Sequence, residues 1–181
     1  MSLTRRGLVA GLAGLVPITV TFAAATSDPQ ADRAAAAALR QLFAEAPAAR
    51  QLNDAAVAVL VFPKIVKVGF VFGGAYGEGA LLQGGKTLGY YNSAAASYGL
   101  QAGVQGFGYA LFFMHPDALK YLDSSQGFEI GVGPSVVVVD QGMAKKFSST
   151  TVTQDVYAFI FNQQGLMAGL GVEGSKITRI K

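Results

Sequence analysis

The 181-residue chain has no cysteine, no tryptophan and a single histidine. Without thiols there are no disulfides, no thiol nucleophile and no Cys-ligated zinc, and one imidazole cannot build a multi-His metal centre. Charge is also scarce. Only 14% of residues are Asp, Glu, Lys or Arg, against about 25% in ordinary globular domains. Apolar residues reach 51%, the opposite of a disordered chain, which is charge-rich and apolar-poor. Glycine, by contrast, is abundant at 23 residues and follows no triplet period, which excludes collagen. A compact, strand-rich domain without chemistry of its own fits this composition.

The first 25 residues read as an export signal. Arg5 and Arg6 precede an apolar stretch over residues 7–25, and Ala23 and Ala25 occupy the small-residue positions before a signal-peptidase cut. Cleavage after Ala25 is expected, leaving residues 26–181 as one domain. Gly7, Gly11, Gly14 and Pro17 dilute the apolar stretch, a poor match to a span that needs about 20 strongly apolar residues. Thr4-Arg5-Arg6-Gly7-Leu8-Val9 is similar to a twin-arginine signal, favoured here over ordinary n-region charge. The expected location is the periplasm, free or peripheral on a membrane. The chain carries a formal charge of +3; with Arg5 and Arg6 gone the remainder stands at +1. Nucleic-acid binding, which needs a clustered basic face, is not expected.

Beyond the signal the pattern runs from helix to strand. Residues 28–46 read as an Ala-rich helix capped by Asp28, with Pro29 in the first turn and an apolar stripe of Leu39, Leu42 and Phe43. Residues 48–56 suit a second short helix, and residues 116–122 a third. Strands are expected over 57–62, 65–72, 79–83 and 87–92, separated by Pro63-Lys64, the glycine-rich 73–77 segment and Gly84-Gly85. Two more are expected within 94–114, and others over 128–140, 152–162 and 166–180. Residues 107–114, 136–139 and 157–161 are apolar at both strand parities. A sheet with one wet face would alternate, so both faces are covered. With so few helices available, the sheet must curl, around either its own side chains or a hydrophobic ligand. Glycines two apart, at Gly77/Gly79, Gly106/Gly108, Gly131/Gly133 and Gly169/Gly171, fall on one strand face, where they permit bending or close approach.

Catalytic motifs fail on context. Residues 169–174 match G-x-G-x-x-G, but a strand-like segment follows instead of the helix a dinucleotide site requires. Residues 73–79 lack the Gly-Lys-Ser/Thr ending of a phosphate loop. His115, before Pro116-Asp117, is read as a helix entrance. The acidic residues are scattered singly. No catalysis, cofactor or metal is expected.

Six ordered blocks carry a family resemblance: Val61-Phe62-Pro63-Lys64-Ile65, Gly73-Gly74-Ala75-Tyr76-Gly77-Glu78-Gly79, Tyr90-Tyr91-Asn92, Ser97-Tyr98-Gly99-Leu100-Gln101-Ala102-Gly103, Gly131-Val132-Gly133-Pro134-Ser135 and Gly165-Leu166-Met167-Ala168-Gly169. Over residues 32–180 the chain resembles the bacterial, exported branch of the SYLF lipid-binding domain family. The resemblance implies an α+β fold, with N-terminal helices packed on a large, curled, mainly antiparallel β-sheet. It also implies non-catalytic binding of phospholipid. Eukaryotic relatives bind phosphoinositides through basic residues and an N-terminal amphipathic segment, and some fungal ones bind actin, which applies here only by distant analogy. Phe128 stands where members often carry Trp, a mild change in an apolar slot. The eukaryotic basic cluster has no matching block in this chain and is not transferred.

The reading that follows is a phospholipid-binding protein of the cell envelope, docked on an anionic membrane or holding a lipid inside. Lys64, Lys67, Lys176, Arg179 and Lys181 are the expected electrostatic contacts, with Leu39, Leu42 and Phe43 supplying apolar contact. The rival is a structural or stress-related envelope module that binds a protein partner, which an exposed edge strand over residues 176–180 would favour.

Overall fold

A computed structural model describes residues 27–69, 72–98, 103–123, 128–129, 133–139, 153–165 and 175–180. The expected signal segment and Lys181 lie outside these residues. Two helices come first, α1 (Pro29–Glu45) and α2 (Pro47–Ala55). The Asp28 side chain caps α1 by accepting from the Gln30 and Ala31 amides at 3.2 and 3.1 Å. Four long strands follow: β1 (Ala58–Gly69), β2 (Phe72–Gln83), β3 (Lys86–Tyr98) and β4 (Gly103–Phe113). After α3 (Pro116–Leu122) come β5 (Phe128–Glu129), β6 (Val136–Val138), β7 (Val156–Gly165) and β8 (Lys176–Arg179). All eight strands form one sheet in the order β5-β8-β3-β2-β1-β4-β7-β6, antiparallel except for the β6–β7 pair. The α+β architecture expected from the sequence is the one observed.

Two expected breaks are absent. The chain does not stop at Pro63: β1 runs through it, and the register with both neighbours shifts there, between Val61 and Lys64 against β2 and between Phe62 and Ile65 against β4. Proline has no amide to donate, and a bulge is the one place inside a central strand where none is needed. The glycine-rich 73–77 segment is likewise part of β2 rather than a separator. Its glycines face the bulge. A Cβ on Gly79 would land on the Val61 carbonyl oxygen, and one on Gly77 would sit 2.5 Å from the Lys64 carbonyl oxygen. The Phe62–Ile65 kink therefore rides directly over β2, where no side chain could fit.

The sheet is curled hard enough to bring its edge over its centre. β5 and β4 are five places apart in strand order, roughly 24 Å in a flat sheet. Yet the Phe128 and Phe113 rings are 6.0 Å apart, and Tyr121 of α3 lies 5.8 Å from Phe128. The concave face so enclosed is filled by Leu60, Phe62, Tyr91, Phe107, Tyr109, Leu111, Phe113, Phe128 and Ile177, closed by Ala118 and Leu122 of α3. The convex face carries Val59, Val61, Ala110, Phe112, Phe159 and Phe161 under Ala35, Ala38 and Leu42 of α1 and Ala49 and Leu52 of α2. This two-sided coverage accounts for strands that are apolar at both parities.

Among the described residues, two buried side-chain oxygens lack a hydrogen-bond partner: the Tyr109 hydroxyl and Gln105 Oε1, both on β4. Burial alone pushes the Tyr109 hydroxyl pKa up. An orphaned hydroxyl of this kind costs about 1–3 kcal/mol. Tyr109→Phe, which keeps the stack on Phe62 at 5.8 Å, is therefore expected to leave stability unchanged or raise it by about 1 kcal/mol. Urea unfolding checks this; a marked loss would mean that the hydroxyl has a partner.

Candidate functional site

Strand periodicity decides where the expected basic residues go. Successive strand side chains alternate between faces, so residues three apart point opposite ways. Lys176 pairs with Ala94 and Arg179 with Tyr91, which puts Lys176 on the convex face and Arg179 on the concave one. Across the β1 bulge the same holds: Lys64 is convex, and Lys67, two residues beyond buried Ile65, is concave. The four expected contacts among the described residues thus form no single cluster. Arg179 is also engaged. It donates to Asp123 at 3.3 Å and to the Leu88 carbonyl at 3.0 Å, and lies 5.9 Å from the Tyr91 ring. Asp123 in turn accepts from the Tyr91 hydroxyl at 2.5 Å. Desolvation and the neighbouring Asp123 carboxylate push the Tyr91 pKa up. Arg179 ties β8, β3 and the end of α3 together.

The expected apolar contacts on α1 turn inward. Leu42 is 1% exposed and belongs to the convex-face core, while Leu39 and Phe43 are half-buried and pack on its margin. The expected open edge over residues 176–180 is covered only at its start: β8 lies between β3 and β5, and β5 pairs with Lys176 and Ile177 alone, Ile177 standing opposite both Ser93 and Phe128.

The sequence reading missed the far end of the sheet. Val66, Val68, Phe72, Tyr76 and Val104 are exposed, Phe72 to 76% and Val104 to 63%. All five share the convex face beyond the reach of α1 and α2. The register lines them up: Val66 opposes Tyr76, and Val68 opposes both Gly74 and Val104. Across β3, Tyr76 opposes Ala94, which opposes Lys176. One step back along β1, Lys64 opposes Glu78, which accepts from the Tyr76 hydroxyl at 2.8 Å; that bond raises the Tyr76 pKa. An apolar platform therefore ends in a border holding Lys64 and Lys176. Val68, Phe72 and Val104 meet with Gly69, Gly73, Gly74 and Gly103 in an open groove at its tip. The alternation of Val66 and Val68 was visible in the sequence, but Val104 joins them only through pairing.

A second surface lies at the other end of the convex face. Tyr90 anchors the start of α1: its hydroxyl accepts from the Asp28 amide at 2.7 Å and donates to Asp32 at 2.9 Å, and Thr87 donates to Asp32 at 2.7 Å. Between α1 and the β2–β3 hairpin runs a cleft of about 640 Å³. No group of three or more His, Asp or Glu suited to a metal occurs among the described residues. Among them also, no helix is long and apolar enough to cross a membrane. His115 is exposed at the start of α3 and makes no side-chain cap there.

The sequence model of the family described as Ysc84, Las17-binding protein actin regulator, matches residues 94–181, from the outer half of β3 through β8. No curated protein matches the chain. The matched span holds three of the six blocks in full, and the curled α+β fold agrees with what the resemblance implied. Over residues 94–181 the chain is thus similar to the Ysc84, or SYLF, family, in agreement with the resemblance carried by its sequence blocks.

Proposed function

We propose that this protein is a non-catalytic phospholipid-binding protein of the cell envelope, and that it docks on anionic membrane with the bare end of its sheet. The observation that carries this reading is the cluster of Val66, Val68, Phe72, Tyr76 and Val104. They are five of the seven large apolar side chains exposed among the described residues, and they sit together on one face. Contiguous exposed apolar surface marks a docking site. Phenylalanine and tyrosine are suited to the boundary between headgroups and acyl chains. Lys64 and Lys176 border the platform on the same face, and Lys67 stands on the other face of the same strand end. Each lysine near an anionic surface contributes about 1 kcal/mol, against which Glu78 takes back a share. The concave interior is filled by the chain's own aromatic side chains, which supports a surface site over an enclosed lipid.

The test is flotation with vesicles of phosphatidylglycerol and phosphatidylcholine, and of phosphatidylcholine alone, at low and high salt. The protein is expected to float with the anionic vesicles. Salt should weaken that association several-fold without abolishing it, because the apolar platform is not screened. Failure to float with either vesicle would end the membrane reading and leave a protein partner as the occupant of the platform.

A further inference from the structure

We infer that the cleft between α1 and the β2–β3 hairpin binds a phosphate monoester carrying a single acyl chain. Arg33, Arg40 and Lys86 line it. Arg33 and Arg40, seven residues apart on α1, lie along one helix line, and the hairpin brings Lys86 across from them. None of the three forms an ion pair among the described residues. The one carboxylate in the cleft, Asp32, already accepts from Thr87 and Tyr90. Three cations and one carboxylate leave a local charge of two, which a phosphate monoester dianion balances and a carboxylate or a phosphodiester does not. Arginine forks match the phosphate oxygens in bidentate fashion.

The rest of the lining is apolar. Leu39, Phe43 and Leu82 are half-buried around the same cleft, a strip suited to one chain rather than to a bilayer. Gly84 and Gly85, with φ of 55° and 81°, make the tight turn that delivers Lys86. This site deepens the phospholipid reading and lies on residues apart from the docking platform, so the two can fail separately.

Calorimetric titration of the purified protein with lysophosphatidic acid below its micellar concentration tests it, with lysophosphatidylcholine and inorganic phosphate as comparison ligands. Lysophosphatidic acid is expected to bind, lysophosphatidylcholine to bind at least about tenfold more weakly, and inorganic phosphate to bind weakly at best. The exposed variants Arg33→Gln, Arg40→Gln and Lys86→Gln should each weaken lysophosphatidic acid about tenfold while leaving vesicle flotation in place. Equal binding of the two lysolipids, equal binding of free phosphate, or unaltered affinity in all three variants would each overturn the assignment. Loss of flotation with titration intact would overturn the docking platform instead.

Discussion

Gly79→Ala is expected to lower the thermal midpoint of unfolding by roughly 5–10 °C, an effect of about 2–3 kcal/mol in a chain of this size. The reason is the bulge at Pro63. Where β1 kinks, its backbone drops toward β2, and the Val61 carbonyl and the Phe62 ring occupy the space a Cβ on Gly79 would need. A flexible side chain could swing away, but a carbonyl held in the sheet cannot. Alanine does restrict the unfolded chain, which returns about 0.4–1 kcal/mol, so the loss measured is the clash less that gain. Gly74→Ala is the control. It sits on the same strand, and its new methyl would meet only the Ala95 carbonyl oxygen at 3.5 Å, an ordinary contact. Differential scanning calorimetry on both variants decides the matter. Equal midpoints would show that the kink does not press on β2.

The same region shows why part of the fold was legible in advance and part was not. Helix ends are written locally. Asp28 followed by Pro29 marks the start of α1, and Pro116 that of α3, because caps and first-turn prolines act within a few residues. Pro63 also acts locally, and taken alone it ends a strand. Only the presence of β2 and β4 on either side turns that proline into a bulge, and only the bulge explains why the glycines opposite it are spaced by two. The need for a curled sheet was likewise visible, since strands apolar at both parities cannot leave a face wet. Which edge curls over which centre depends on the register of β5 with β8, and residue pattern does not carry that.

The surface was harder to read than the core for a related reason. Lys176 and Arg179 look adjacent along the chain, but the two-residue period of a strand sends them to opposite faces, and Arg179 is absorbed by Asp123. Applied strictly, that period would have separated them from the outset. Leu39, Leu42 and Phe43 share a helix stripe, and on a helix that covers a sheet such a stripe faces the core. Arg33 and Arg40 lie off that stripe, and nothing in α1 alone shows that the hairpin at Gly84-Gly85 crosses in front of them. A core is announced by its own residues. A site made of two distant segments is announced only by their meeting.

The platform at the sheet end is such a meeting, and removing it should have the larger functional consequence. The triple variant Val68→Ser, Phe72→Ser and Val104→Ser is expected to reduce partition onto anionic vesicles by about a hundredfold. Fully burying a side chain of this size contributes roughly 1.5–3 kcal/mol. These three are 48%, 76% and 63% exposed in the free protein and would be only partly withdrawn from water on docking, so about 1 kcal/mol each is the reasonable share. Their sum, near 3 kcal/mol, is two factors of ten in affinity. The substitutions lie outside both cores, so the unfolding midpoint should move by no more than a few degrees. Lys64→Gln with Lys176→Gln gives the contrast: binding should fall several-fold at low salt and match the wild type at high salt, because only the screened contribution is lost. A serine variant that floats like the wild type would show that the exposed residues serve another partner. A lysine variant whose deficit persists in high salt would show that those side chains act by packing rather than by charge.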